Sequence, residues 1–338
     1  MISGAGAMNP VCPREDGRLE WGNGVVSMLF DTAGDSPVRL CNVAGRGMGP
    51  IGGRVADDGR TVLEYRLEIV QFASYAELEP HGRAFEPTAA ERAEAAAQPS
   101  PEAVRHADAT AGLVVTSVFE AFPGLSAVRT YTRLSSARPL PIEAVSSLNL
   151  TVPMRVNCGK IDHSRVFWGD SAWAVENDWR SRPLRDVSVR NRNQVINPGQ
   201  SSSRFAMSSA STWSTGVHEP AGIVQVEGSR RQSRDFSVMW QIEHNGPWEW
   251  EVGEDDPGLH ISAFGPEYQD HHWYTELGEG HDFESVPVSF AIAAGDWQQS
   301  VVEMTLQRRA LRAAKARELG RSEQFEHTQG LVVYNDYM

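Results

Sequence analysis

The feature that most constrains this chain is a recurring run of alternating residues, closed each time by a turn signal. "TVLEYRLEIV" (Thr61–Val70), "GLVVTSVFEAF" (Gly112–Phe122) and "SAVRTYTRL" (Ser126–Leu134) mix β-branched, aromatic and charged residues at roughly every second position. "SVPVSFAIA" (Ser285–Ala293) is cleaner, with Val286, Val288, Phe290 and Ile292 on one face and Pro287, Ser289 and Ala291 on the other. Gly, Pro, Asn and Asp clusters separate the runs. Many strands joined by short turns build antiparallel sheets, and two such sheets pack as a sandwich. The span from about residue 10 to residue 296 is too long for a seven-strand sandwich. The expected fold is therefore mostly β, a large antiparallel two-sheet supersandwich.

Two segments depart from that pattern. "EPTAAERAEAAAQPSPEAVRHADATA" (Glu86–Ala111) is rich in Ala and Glu and broken by Pro87, Pro99 and Pro101, which reads as a surface insertion without chemistry. "DWQQSVVEMTLQRRALRAAKARELG" (Asp296–Gly320) is rich in helix formers, with Val301, Met304, Leu306 and Leu311 as an imperfect apolar stripe and Gly320 as the C-terminal cap. After it comes "GLVVYNDYM" (Gly330–Met338), whose Leu331–Tyr334 run has the composition of a buried parallel strand. Such a strand needs neighbours on both sides, so it reads as the opening element of a further α/β domain. The expected division is a β domain over 1–297, a linker helix and connection over 298–325, and the start of the next domain over 326–338.

A net charge of −13 argues against nucleic acid or an anionic membrane as partner. No apolar run approaches the length of a membrane span, and "MISGAGAMNP" has neither a basic region nor an apolar core of a secretory signal. Cys12, Cys41 and Cys158 form no CxxC pair, and an odd, scattered set fits a reducing compartment. The expectation is a soluble cytoplasmic protein with no cofactor.

Ten Trp residues suit either a core or the faces of sugar rings. In "MWQIEHNGPWEWEVGE" (Met239–Glu254), Trp240, Ile242 and His244 alternate up to Asn245-Gly246, and Trp248, Trp250 and Val252 alternate after it. That reads as a β-hairpin with one aromatic and one acidic face, its three Trp rings buried. Glu249 and Glu251 stand roughly 7 Å apart by strand rise, and paired carboxylates are what glycoside hydrolysis needs. Carboxylates alternating along a strand more often form a solvated face, so no catalytic role is assigned to them. His271 and His272 would point to opposite sides of a strand, which excludes a shared metal ion; no metal ligands are expected. Asp162, His163 and Ser164 are contiguous, which is no support for a triad, because a triad needs convergence from distant positions. Trp168, Trp173 and Trp179 lie in a stretch rich in Trp, Asp and Asn, as a sugar site would.

In order and spacing, the blocks "WQIEHNGPWEWEVGE", "GLHISAFGPEYQDHHW", "LGEGHDFESVPVSFAIAAGDW", "LQRRALR" and "LVVYNDYM" resemble the α-galactosidases of glycoside hydrolase family 36. They match the end of that family's N-terminal β-supersandwich, its linker helix and the first strand of its catalytic (β/α)8 barrel. The match is specific from about Ser233 to Met338 and looser over residues 10–231. It implies a retaining mechanism with two Asp residues on later barrel strands, which a chain ending at Met338 does not contain. No catalytic residue is therefore expected here. Barrel sites lie at the C-terminal ends of strands, where Asn335, Asp336 and Tyr337 stand, with Tyr337 in the position of an aromatic lining the galactose subsite. Together with Trp168 these are the expected substrate-binding residues. The partner implied is an α-galactoside held by the missing barrel, with a homo-oligomer also admissible. A free-standing carbohydrate-binding or oligomerisation module remains the alternative.

Overall fold

The computed structural model describes residues 12–13, 18–23, 25–31, 39–48, 61–69, 113–137, 139–153, 159–187, 189, 204–210, 212–228, 235–255 and 258–328. The segment 86–111, Cys158 and the residues Asn335, Asp336 and Tyr337 lie outside the described set.

The largest sheet is antiparallel and has nine strands. Its order is β11 (Val175–Pro183), β10 (Gly159–Ala172), β13 (His218–Gly228), β14 (Phe236–Ile242), β19 (Val288–Ala294), β7 (Ala127–Ser135), β6 (Leu113–Ala121) and β5 (Thr61–Ile69), with β18 (Phe283–Glu284) also on β7. A second, four-stranded sheet runs β12 (Arg204–Ser209), β15 (Trp248–Asp255), β16 (Gly258–Phe264) and β9 (Ser146–Pro153). A third carries β1 (Cys12–Pro13), β2 (Leu19–Gly22), β3 (Ser27–Asp31) and β4 (Arg39–Ala44), and β4 lies against β9. A small pair, β8 (Leu140–Ile142) with β17 (Thr275–Leu277), completes the strands among the described residues. Inward side chains of the three larger sheets, among them Met28, Leu150, Val166, Val238, Trp250 and Phe290, form one continuous core. The expected sandwich is what forms.

The predicted hairpin at Asn245-Gly246 is not. β14 pairs with β13 and β19, while β15 pairs with β12 and β16. The chain crosses from one sheet to the other at this turn, so the two aromatic faces look at each other across the core instead of lying side by side. Alternation reveals which side chains are buried, and it does not reveal which strand is the neighbour. Two contacts hold the crossing: Ser214 N–H donates to the Asn245 carbonyl at 3.2 Å, and Glu243 N–H donates to that of Pro287 at 2.8 Å.

β19 is covered on both of its faces. Helix α2 (Trp297–Glu318; the shorter α1 is Tyr268–His271) lies on the outer face of the large sheet, with Met304 against Ala127, Ala291 and Met239. Small side chains at Ala127 and Ala291 let the helix approach closely. Its buried face is Ser300, Glu303, Met304, Gln307 and Ala316, so of the expected apolar stripe only Met304 is fully buried; Val301 and Leu311 are half-buried and Leu306 is exposed. Glu303 accepts from Ser126 N–H at 2.7 Å and pairs with Arg46, which replaces apolar contact with charge-assisted bonds. Asp296 caps the helix by accepting from Gln298 N–H at 3.0 Å. Gly320 ends it in the left-handed region at φ 64°, as its sequence position suggests. Helix α3 (Ser322–Thr328) follows, so the expected boundary between 325 and 326 falls within a helix.

Candidate functional site

Two constellations meet around β15, one on each of its faces. On the inner face the rings form a continuous chain. Trp240 meets Trp250 edge-on at 5.1 Å and 73°, Trp250 meets Phe205 at 5.8 Å, and Phe205 meets Trp168 at 5.3 Å. Edge-to-face contacts suit the ring quadrupoles and strengthen the packing beyond the area buried. Trp240, Trp248 and Trp250 are fully buried, as their alternation implies. Gly222 stands opposite Trp240 in register, and a Cβ there would lie 2.3 Å from Cζ2 of that ring. Trp248 Nε1 donates to the Ser214 carbonyl at 2.7 Å, whereas the Nε1 groups of Trp240 and Trp250 find no acceptor among the described residues.

On the outer face, Glu249 and Glu251 do not form the expected solvated row. The chain after β16 folds back over β15 as helix α1, so Glu249 is only 5% exposed. Glu267 caps α1, its carboxylate accepting from the backbone of Gln269 at 2.5 Å and from that of Asp270. One oxygen each of Glu249, Glu267 and Asp270 lies within 4.8 Å of the others. Burial, then the hydrogen bond shared with Asp270, then the negative charges of Asp270 and Glu267 push the Glu249 carboxyl up to about 8, only partly offset by Arg204. Glu249 therefore carries a proton at neutral pH. Glu251, two residues on, goes the other way. A hydrogen bond with His260 and pairing with Arg204, whose Nη1 lies 2.6 Å from Oε2, hold it below the usual carboxylate range against the opposing effect of burial.

One neutral and one ionised carboxyl on one strand is the division of labour that acid–base catalysis uses. Access decides against that role, because Glu249 is covered by α1 and its proton is shared within the chain. The carboxylate trio could take a cation only by giving up the cap, since Glu267 already accepts from two backbone N–H groups. His271 and His272 are not on a strand. His271 closes α1 with its side chain buried, and His272 is its left-handed C-cap at φ 54°. "GPE" (Gly265–Glu267) was the legible signal for this helix, a breaker pair followed by an acidic capping residue.

Trp168 packs on the rim of the core against Phe205, Trp213 lies in the loop before β13 with 69% exposure, and Trp173 and Trp179 remain at the far edge of the large sheet with 86% and 38% exposure. There Asp170 binds His218 Nδ1 at 2.9 Å and Arg180 at 2.9 Å, and Trp179 Nε1 donates to Asn177 Oδ1 at 2.7 Å. An open groove of about 340 Å³ lies elsewhere, between Val114, Thr116, Arg133, Asp282 and Glu284. Arg133 pairs there with Glu284 at 2.9 Å.

No protein-family model and no curated protein sequence matches the chain. Its structure does match solved ones. An α-galactosidase of glycoside hydrolase family 36 from Geobacillus stearothermophilus aligns over 85% of this chain and 41% of its own length, with TM-score 0.52 at 10% identity. The α-galactosidase from Lactobacillus brevis aligns over 82% of this chain and 39% of its own, with TM-score 0.50 at 9% identity. The galactosidase domain of an α-galactosidase–sucrose kinase aligns over 84% and 42%, with TM-score 0.50 at 11% identity. The chain thus spans about two-fifths of the length of these proteins, and what it shares with them is the fold of part of an α-galactosidase.

Proposed function

We propose that this chain is the non-catalytic β-sandwich portion of an α-galactosidase-like retaining glycoside hydrolase acting on terminal α-D-galactosides of the melibiose and raffinose type. The observation that carries this reading is the fold shared with solved α-galactosidases over more than four-fifths of the chain. The sequence blocks from Ser233 onward support it independently of the structure. Residues 1–297 would form the sandwich, 298–325 the connection, and 326–338 the entry into a barrel that supplies both catalytic Asp residues. Asn335, Asp336 and Tyr337 would border the galactose subsite there. Trp168, engaged with Phe205, is the weaker member of that set. Retaining hydrolysis needs two carboxyl groups about 5–5.5 Å apart with room for a sugar between them, and the trio at Glu249 offers proximity without room.

The test is hydrolysis of an aryl α-galactoside. The purified chain should give only the buffer rate, and in-frame fusion to the barrel of an α-galactosidase should yield activity above that of the barrel alone. Turnover by the unfused chain, lost on Glu249→Gln, would overturn the reading. A free-standing carbohydrate-binding module is favoured by one observation, the open rings of Trp173 and Trp213. Calorimetric binding of raffinose to the chain, abolished by Trp213→Ala, would select it.

A further inference from the structure

Polar contacts, more than buried apolar surface, seat α1 on the outer face of the four-stranded sheet. Apart from the His271 ring, α1 buries little: Asp270 is exposed and Tyr268 keeps 49% of its surface open. The chain enters at Gly265, where a Cβ would lie 2.5 Å from Val286 Cγ2, and leaves at Trp273, whose ring meets Phe283 at 5.2 Å. Between these anchors, Tyr268 N–H donates to the Glu143 carbonyl at 2.8 Å, and the Asp270 carboxyl meets that of Glu249. Glu249 belongs to a strand paired on both sides, whereas Asp270 belongs to a single helical turn. Segments held by few apolar contacts open locally at far lower free energy than a packed sheet.

The junction between the two depends on one proton. Carboxyl oxygens of Glu249, Glu267 and Asp270 lie within 4.8 Å of one another, and three negative charges at that separation repel strongly. Glu267 is committed as an acceptor of the Gln269 and Asp270 N–H groups. The proton that lets the cluster close therefore lies between Glu249 and Asp270, the contact that joins α1 to β15. Neighbouring groups do not replace it. From β12, Arg204 offsets part of the charge but bonds Glu251 at 2.6 Å. From β16, His260 bonds Ser262 at 2.8 Å and faces Glu251 at 3.6 Å. Within α1, His271 Nδ1 accepts from Glu267 N–H at 3.2 Å, so that nitrogen offers the carboxylate no proton. The His272 ring turns to Tyr268, with centroids 6.1 Å apart. Ser208 and Phe264, opposite Glu249 in register, carry no charge.

We propose that α1 is a proton-operated latch, seated on β15 while Glu249 and Asp270 share a proton and lifted from the sheet, with the strands intact, once that proton is lost. The lifted form uncovers Glu249 beside Glu251, and the device is independent of any sugar chemistry. Lifting returns Glu249 to water, where its carboxyl has the ordinary value of 4.5 instead of about 8. The advantage of the seated form is therefore complete below about 4.5, falls about tenfold per pH unit above it, and levels off above about 8. Hydrogen exchange of the whole chain, read by mass spectrometry and corrected for the intrinsic amide rate at each pH, tests this. The amides of Gln269, Asp270, His271, His272 and Trp273 are all donors within the seated segment. Their protection should fall about a hundredfold from pH 5 to pH 8, while β14 and β16 keep theirs. Glu249→Gln and Asp270→Asn each keep a hydrogen bond across the junction without the titrating proton. In both variants the change over the same range should shrink to less than about threefold. Protection of 269–273 that ignores pH in the wild type, a loss shared equally by β14 and β16, or a full pH dependence that survives in either variant overturns the proposal.

Discussion

Two sets of tryptophans in this chain obey different rules. Trp240, Trp248 and Trp250 are fully buried between the sheets, while Trp173 at the sheet's edge and Trp213 in the loop before β13 keep 86% and 69% of their surface open. The buried set and Trp173 both come from segments dense in Trp and acid, and residue type alone does not separate them. Period does. The buried rings alternate strictly with Gln241, Glu249 and Glu251, as a half-buried strand requires. Trp173 follows "GDSA" and precedes a left-handed Ala174 at φ 62°, so it belongs to a turn. A ring on a strand is placed by the whole sheet, whereas a ring on a turn is placed only by its neighbours.

The most direct way to break this contrast is Trp240→Ala. Its ring is fully buried and edge-on to Trp250, so truncation removes both the transferred surface and the filling of a cavity. The expected loss is about 3–5 kcal/mol in denaturant unfolding. A loss below about 1 kcal/mol would mean that the core collapses around the gap, and the ring chain would then be no structural unit. Gly222→Ala probes the same packing from the other side. The added methyl would sit 2.3 Å from Trp240 Cζ2, and the ring is hemmed in by Trp250. Overpacking of this kind costs about 1–3 kcal/mol. The double variant with Trp240→Ala should cost less than the sum, because the clash disappears with the ring.

These same positions show what was legible and why. Burial of the three Trp residues could be read from alternation, and the sandwich from the number of alternating runs. The partner of each strand could not. Asn245-Gly246 carries the strongest short hairpin signal in the chain, yet the chain crosses between sheets there. A turn dipeptide specifies how the backbone reverses; the sheet that receives the next strand is decided by every other pairing in the fold. The helix α2 stripe misled for a related reason. Leu306 and Val301 look like the buried face, but Ala127 and Ala291 make a shallow seat that accepts Met304, and Glu303 is drawn in by Ser126 and Arg46. The carboxylate trio needed tertiary knowledge altogether, since nothing local to Glu249 says that residues 267–270 fold over it.

That trio supplies a smaller, pH-dependent effect. Glu249 is raised from 4.5 to about 8 in the folded chain. A raised carboxyl binds its proton more tightly when folded, so its contribution to stability is fully present below the unfolded value. It declines as pH rises from about 4.5 and is gone above about 8. After allowance for solvent screening, the decline should be about 1–2 kcal/mol. Glu249→Gln keeps a hydrogen-bonding group toward Asp270 without the charge, so it should flatten this slope and be the more stable protein near pH 8.5. Equal slopes for variant and wild type in urea melts at pH 5, 7 and 8.5 would show that α1 does not seal the carboxyl from water.

The smallest expected effect belongs to the edge. Trp173 keeps 86% of its surface open, so Trp173→Ala removes almost no burial and should change stability by no more than about 0.5 kcal/mol. Trp179→Ala should cost more, because that ring lies beside Gly169, its Cε2 3.4 Å from where a Cβ would be, and donates to Asn177. The pair of variants grades the edge as Trp240 grades the core. If Trp173→Ala lost more than about 1 kcal/mol, the ring would have to be covered in solution by something other than the described residues. Repeating the melt at a hundredfold lower concentration then identifies the cover. A loss that shrinks on dilution belongs to a second copy, because stability held by association depends on concentration. A loss that does not change belongs to the chain's own remaining segments.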